Sequence, residues 1–388
     1  MADVIHEASD VTKKRLNHLA RHDGDPAITV YMPLQTPSAK ASGKQENMIR
    51  LKNLLRRIEA QSQEYLEDHP NAKEQLAALV QPIREAYEAG DAFWDAQAQG
   101  AAMFLAPGIA EILSLQHEVS EEVFIDSRFH LKPLIAAYTG RSRFYLLALD
   151  MHNVKLYLGN AANLQEVPLK NGPPELPEIL KDFSFERTLN KAPGPGSVYV
   201  GHAGGEENLS PHIIEFLEGV DRSVTETIGT TGLPILLAGS ENVVGHYRHQ
   251  SKLKPLLEEY VHGSPRNMSS KVLHDKAWSI IESHQQKQVS EEVGAVAEAL
   301  ESEQGVRELA DVCRSAYEGR LQILLVAEDT EVLGSFDPGQ EVLEVSDSGE
   351  DILDLAAHYA WTRGTRVYAV PQSEIPGGRV AAGVIHAT

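Results

Sequence analysis

The sequence has a single cysteine, Cys313, among 388 residues. That excludes an intrachain disulfide and any zinc site built from cysteines. Cys313 lies among Leu309, Val312 and Ala316 at helical spacing, which predicts buried packing. Long apolar runs are missing too, and none approaches the ~18 residues of a membrane span. The N-terminal stretch Met1-Ala-Asp-Val-Ile-His-Glu7 lacks a signal-peptide pattern, so a soluble, cytoplasmic protein is expected. Positive charge is scarce: 35 Lys and Arg stand against 56 Asp and Glu, a formal net charge of −21. Nonspecific nucleic-acid affinity needs many phosphate-neutralising cations, so any RNA contact has to come from local basic patches. The acid excess is open to two readings, solubility or a salt-rich cytoplasm.

Standard catalytic patterns are absent as well. There is no G-x-S-x-G, H-E-x-x-H or Walker loop, and no G-x-G-x-x-G follows a strand. His246 and His249 are three apart on an expected helix, but no carboxylate or cysteine stands at ligand spacing beside them. Asp126, Asp150 and Asp221 are the carboxylates a nuclease-like site would gather, though their spacing does not point there. No cofactor or metal is expected, and enzymatic activity is left open, leaning against it.

What is present centres on residues 197–228. A β-branched run, Val198 to Val200, leads into a loop with Gly201, Gly204 and Gly205. Ser210 is a good N-cap, and Pro211 suits the first helical position, where a missing N–H costs nothing. Ile213, Phe216, Leu217, Val220, Val224 and Ile228 then recur at three- and four-residue steps, one apolar helical face. Three readings of this tip stay open. It is an ordinary glycine-rich loop, or a phosphate cradle before a helix N-terminus, which Glu206 and Glu207 would repel, or a probe for a narrow site where only glycine backbone fits.

Around the tip the chain reads as three α/β units. Residues 1–126 hold a strand, Ala27 to Pro33, a polar loop from Gln35 to Gly43, and a long helix from about Gln45 to Leu66. Lys40, Lys44, Arg50, Lys52, Arg56 and Arg57 crowd that loop and helix, against Glu46 and Glu59 alone between positions 35 and 60. The bland alternative is a solvated helix face. Residues 127–285 begin with a short helix, His130 to Tyr138, then a meander of strands at 144–149, 154–158 and 164–167. A long proline-rich excursion, 171–196, separates them from the tip, and Pro234 to Gly239 is a buried-type strand. Residues 286–388 carry strands at 321–327, 341–345, 366–370 and 380–385, alternating with helices, the pattern of an α/β/α sandwich.

Several segments, in this order, resemble the archaeo-eukaryotic class-one release factor and Pelota superfamily, in particular its divergent bacterial branch. They are Ile28 to Pro33 with the basic helix and Gly100-Ala-Ala-Met-Phe-Leu105; Asp126 to Leu134 with Arg143 to Asp150; and Leu236-Leu-Ala-Gly-Ser240 with Gln250-Ser-Lys-Leu253. Ala316 to Val326 and the closing Pro376-Gly-Gly378 turn complete the set. The resemblance implies a mixed α/β, α+β fold: a decoding-like domain over 1–126, a central ribonuclease-H-like domain over 127–285, and a C-terminal domain over 286–388 like a kink-turn-RNA-binding ribosomal protein. It equates Gly204 and Gly205 with the glycines of the family's Gly-Gly-Gln loop, which enters the peptidyl-transferase centre. Glu206 stands where the glutamine would be, and Ala203 where a basic residue usually precedes. The family's codon-reading Asn-Ile-Lys-Ser is missing, Asn47-Met-Ile-Arg50 lying near its place. The implied function is ribosomal A-site binding for rescue or hibernation-type protection, without stop-codon-dependent release. Ribosomal RNA, tRNA and a translational GTPase are the implied partners. Lys40, Lys44, Arg50, Lys52, Arg56 and Arg57 would touch RNA phosphates. The alternatives are peptidyl-tRNA hydrolysis using Glu206 or His202, and a non-ribosomal RNA- or protein-binding scaffold.

Overall fold

The computed structural model describes residues 9–24, 26–35, 42–89, 98–115, 118–140, 143–150, 153–161, 163–171, 211–229 and 232–386. Packing divides the chain into two compact units, Met1–Ser142 with Gln285–Thr388, and Arg143–His284.

The first unit opens with β1 (Ser9–Asp10), α1 (Lys13–Leu19), β2 (Ala27–Pro33), α2 (Ser42–Asp68), α3 (Lys73–Ala89), β3 (Gly100–Ala106), β4 (Ile109–Leu115), β5 (Glu122–Asp126) and α4 (Lys132–Gly140). The strands form one sheet in the order β1-β4-β3-β2-β5. β2 and β3 read as continuous apolar runs because both of their faces are covered. Ile28, Val30, Met32, Ala101, Met103 and Leu105 pack with Leu51, Leu54 and Ile58 of α2 and Leu76 and Ile83 of α3. The alternate residues Ala27, Tyr31, Ala102 and Phe104 join a second core with Leu16 and Leu19 of α1. α1 and α2 therefore lie on opposite faces of one sheet.

The second unit comprises β6 (Phe144–Asp150), β7 (Asn153–Gly159), β8 (Leu164–Val167), α5 (Pro211–Ile228), β9 (Ile235–Gly239), α6 (Glu241–Gln250), β10 (Leu256–His262) and the first half of α7 (Ser270–Ala299). Its sheet order is β10-β9-β6-β7-β8. β6, β7 and β8 are antiparallel neighbours, while β9 and β10 add in parallel on the other side of β6. A three-strand meander extended by two parallel strands is the ribonuclease-H-like arrangement expected from the sequence. β10 is a strand that the sequence pattern does not announce. It is an edge strand with Glu258 and Glu259 exposed in its middle, so its apolar alternation is broken.

The chain then returns to the first unit with β11 (Gly305–Val306), α8 (Leu309–Glu318), β12 (Leu321–Ala327), β13 (Leu333–Asp337), β14 (Val342–Val345), β15 (Glu350–Asp351), α9 (Ile352–Thr362), β16 (Arg366–Val370) and β17 (Ala381–Ile385). The main sheet is β11-β17-β12-β16, and β14-β13-β15 form a small second sheet. α8 and α9 pack on the main sheet, and Glu292 near the end of α7 meets Arg366 and Tyr368 of β16. Helix α8 stops at Gly319, whose φ of 72° suits a residue without a β-carbon. At Gly305 a β-carbon would lie 2.4 Å from the Leu300 Cα, so only glycine lets the chain turn back under the end of α7.

The core of this C-terminal segment is continuous with the second face of the N-terminal sheet. Polar ties fasten the two. The Leu131 and Lys132 backbone N–H groups donate to Asp354 Oδ1 at 2.7 and 2.6 Å. Lys132 Nζ reaches Asp351 Oδ2 and the Thr330 carbonyl, both at 2.7 Å, and Arg128 pairs with Glu350. Residues 127–140, grouped by sequence with the central unit, thus pack within the first.

Candidate functional site

The residues that the sequence singles out fall in two stretches of the chain, the glycine-rich tip and the basic helix. His202, Gly204, Gly205 and Glu206, the strand at 198–200 and Lys40 lie outside the described residues. The helix that carries the tip is described, and it is firmly seated. Phe216, Leu217, Val220, Val224 and Ile228 of α5 are buried against β6, β9 and α6, as the three- and four-residue spacing predicts. Asp221, midway along α5, accepts from Tyr247 Oη at 3.0 Å, from Ser251 Oγ at 2.6 Å and from the Lys252 backbone N–H at 3.3 Å. These bonds tie α5 to the end of α6. They also give Asp221 a structural role rather than that of a free nuclease carboxylate.

The other carboxylates are separately engaged. Asp126 accepts from Ser127, and Asp150 from Ser264 Oγ at 3.1 Å. Among the described residues no group of three or more His, Cys, Asp or Glu is placed to hold a metal ion, His246 and His249 included. Cys313 is buried, and burial pushes its thiol up to about 12, which makes it an inert packing group.

The basic helix is the second stretch. Lys44 falls within α2. Lys52 and Arg56, one turn apart, are exposed and make no ion pair among the described residues. Ile49 is 54% exposed one turn before Lys52, an uncommon position for a large apolar side chain. Arg50 and Arg57 are differently placed. Arg50 pairs with Glu46 at 3.4 Å and Glu121 at 3.7 Å. Arg57 pairs with Glu121 at 3.6 Å and donates to its carbonyl at 3.0 Å. Glu121 comes from the segment before β5, so it is invisible in the local charge count around α2. Asn47 points inward: it is buried, accepts from the Gln35 N–H at 2.8 Å and donates to the Gln35 carbonyl at 3.1 Å. Its side chain clamps the end of the β2 segment to α2 and is not a free reading group.

A third cluster was not singled out by the sequence. Burial holds His130 down at about 3, and burial together with Asp351 raises Asp354 to about 7. His130 stacks on Phe124, its Nδ1 lies 3.6 Å from Asp354 Oδ2, and its carbonyl accepts from Tyr31 Oη at 2.8 Å. Phe124 and Tyr31 hold His130 from within its own segment, while Asp354 and Asp351 reach it and Lys132 from the C-terminal segment of the first unit. We assign the cluster to structure. The only sequence signal for it was Asp351, an N-cap that accepts from the Leu353 N–H at 3.0 Å.

A family model agrees, over the middle of the chain, with the resemblance read from the residues. Residues 143–320 match the family model of bacterial archaeo-eukaryotic release factor family 3. No curated protein matches the chain. Solved structures that it resembles include an archaeal translation termination factor, aRF1, at 16% identity, with 97% of this chain and 99% of that one covered and a TM-score of 0.22. Archaeal Pelota, in a ribosome-bound model with ABCE1, has 11% identity over 98% and 96% of the two chains, with a TM-score of 0.41. Dom34 of S. cerevisiae, described as a translation termination-like factor that interacts with Hbs1, has 12% identity over 71% and 73%, with a TM-score of 0.38.

Proposed function

We propose that this chain belongs to the archaeo-eukaryotic release factor and Pelota superfamily and is a translation factor that enters the ribosomal A site to rescue or protect idle ribosomes, without stop-codon-dependent peptide release. The family match over residues 143–320 carries the reading. Three domains are inferred, 1–126, 127–285 and 286–388, with the first facing the decoding centre and the tip of the second reaching the peptidyl-transferase centre. Lys52 and Arg56 are stronger phosphate contacts than Arg50 and Arg57, which share Glu121. Lys40 and Lys44 complete the set of proposed phosphate contacts. At the far tip Gly204 and Gly205 allow close approach of backbone. Glu206 has no amide N–H to offer and brings a negative charge among RNA phosphates, which speaks against hydrolysis. Asn47, buried against Gln35, likewise speaks against codon reading.

Cosedimentation of the full chain with ribosomes tests this reading. The wild type should pellet with ribosomes, and a Lys52→Glu/Arg56→Glu variant should not. Absence of wild-type binding at every salt concentration would defeat it. Release activity is measured separately on peptidyl-tRNA: none is expected from the wild type, whereas activity that survives Glu206→Gln and vanishes with Gly205→Ala would reverse that part. A translational GTPase is the expected partner on the ribosome.

A further inference from the structure

The α2 surface is not the only basic one. From Thr12 to His22 the chain carries Lys13, Lys14, Arg15, His18, Arg21 and His22 and no carboxylate, in a protein whose net charge is −21. The structure sorts these residues. Leu16, Leu19 and Ala20 point into the core. Arg15 turns sideways to Glu111 at 3.5 Å, and His22 bonds the Gly24 carbonyl at 2.8 Å. Lys13, Lys14 and Arg21 are left exposed with no ion pair among the described residues, while exposed His18 lies 3.8 Å from the other oxygen of Glu111. Lys14, His18 and Arg21 follow one another at four- and three-residue steps, so they form a single outward line along α1 and the turn after it.

We infer that this line is a second phosphate-binding surface, for the backbone of a structured RNA, on the sheet face opposite α2. Two observations support that occupant. No large apolar side chain is exposed on α1, whereas the centre of a protein–protein contact is usually apolar. The platform is also rigid: Asn17 accepts from Trp361 Nε1 at 2.8 Å, so α1 is bolted to α9, and exposed Arg363 follows at the end of that helix. Fixed cations with no apolar anchor match a chain of regularly spaced negative charges. Because α1 and α2 cover opposite faces of one sheet, they would engage different RNA segments. The inference extends the RNA-binding part of the reading above and does not require the A site.

The test measures binding of a labelled RNA hairpin to the full-length protein by fluorescence anisotropy across a salt series. Lys14→Ala/Arg21→Ala should reduce the slope of log affinity against log salt by about 2. Affinity near 0.15 M salt should fall by roughly 30-fold, the expectation for two purely electrostatic phosphate contacts. Lys14→Arg/Arg21→Lys should restore both. Combining the alanine pair with Lys52→Ala/Arg56→Ala should give additive losses, as expected of separate sites. An unchanged slope in the α1 variant would overturn the inference. So would a loss of self-association in that variant, measured by sedimentation, with RNA affinity intact, since the occupant would then be a second acidic copy of the chain. If the hairpin result holds while ribosomes do not bind, the A-site reading fails and this one stands.

Discussion

Around Lys132 and along α2 a basic side chain pairs with a carboxylate, in opposite surroundings. The side chains of Lys132 and Asp351 are 4% and 2% exposed and lie 2.7 Å apart. Those of Arg57 and Glu121 are 43% and 29% exposed and lie 3.6 Å apart. In the first place the charges hold two distant parts of the chain together. In the second they trim the charge of a surface. Water explains the difference. A buried ion pair that loses one partner leaves an uncompensated charge in a poorly polarisable interior, whereas an exposed one is simply resolvated.

Lys132→Met should therefore be the most damaging change, costing about 3–5 kcal/mol, while Arg57→Ala should cost about 1 kcal/mol or less. Urea denaturation followed by a probe in the first unit measures both, and equal losses would break the contrast. Lys132→Met combined with Asp351→Asn should recover much of the loss, because no orphan charge remains and the amide oxygen still accepts from the Leu353 N–H.

A pH effect comes next, and its sign follows from the two shifts. Burial lowers His130 to about 3 from an ordinary 6.5, so the unfolded chain takes up a proton that the folded chain refuses as pH falls through that window. His130 thus favours the fold above 6.5 and erodes it toward 3. His358, lowered to about 4 by burial, acts in the same direction. Asp354 is raised from 3.8 to about 7, so its stabilising contribution is present below 3.8 and is lost as pH rises through 7. The opposing slopes offset each other between about 4 and 6.5. Asp354→Asn should make stability rise more steeply with pH across that interval, and His130→Gln should tilt it the other way. Thermal melts at stepped pH check this; parallel profiles for the three proteins would sink it.

A smaller effect than that of Lys132→Met sharpens the same comparison from within the cluster. Tyr31→Phe removes a neutral buried donor to the His130 carbonyl and should cost about 1 kcal/mol. A loss as large as that from Lys132→Met would mean that shape, not charge, governs the junction.

Much of the fold was legible in the chain. β2, β9 and β12 announce themselves as apolar runs because both faces are covered. α5 shows its buried face in the spacing of Phe216, Leu217, Val220, Val224 and Ile228. β10 and β13 were not legible, since edge and short strands owe their form to a neighbour more than to their own pattern. The candidate site was legible in composition only. The basic excess of α2 is a local count, and it misses Glu121, which meets Arg57 from 64 residues away.

The sequence by itself determined most of the elements, the glycines and Glu206 of the tip, the single cysteine, and the sparse cations on which any RNA contact must draw. Those are properties of adjacent residues, where backbone preference and periodicity act. Tertiary structure alone decided which cations stay free, that Asn47 and Asp221 are spent on internal hydrogen bonds, and that Lys132 meets Asp351 across 219 residues. The physical reason is that pairing and burial depend on distance and local polarity in three dimensions, and neither is encoded by position along the chain.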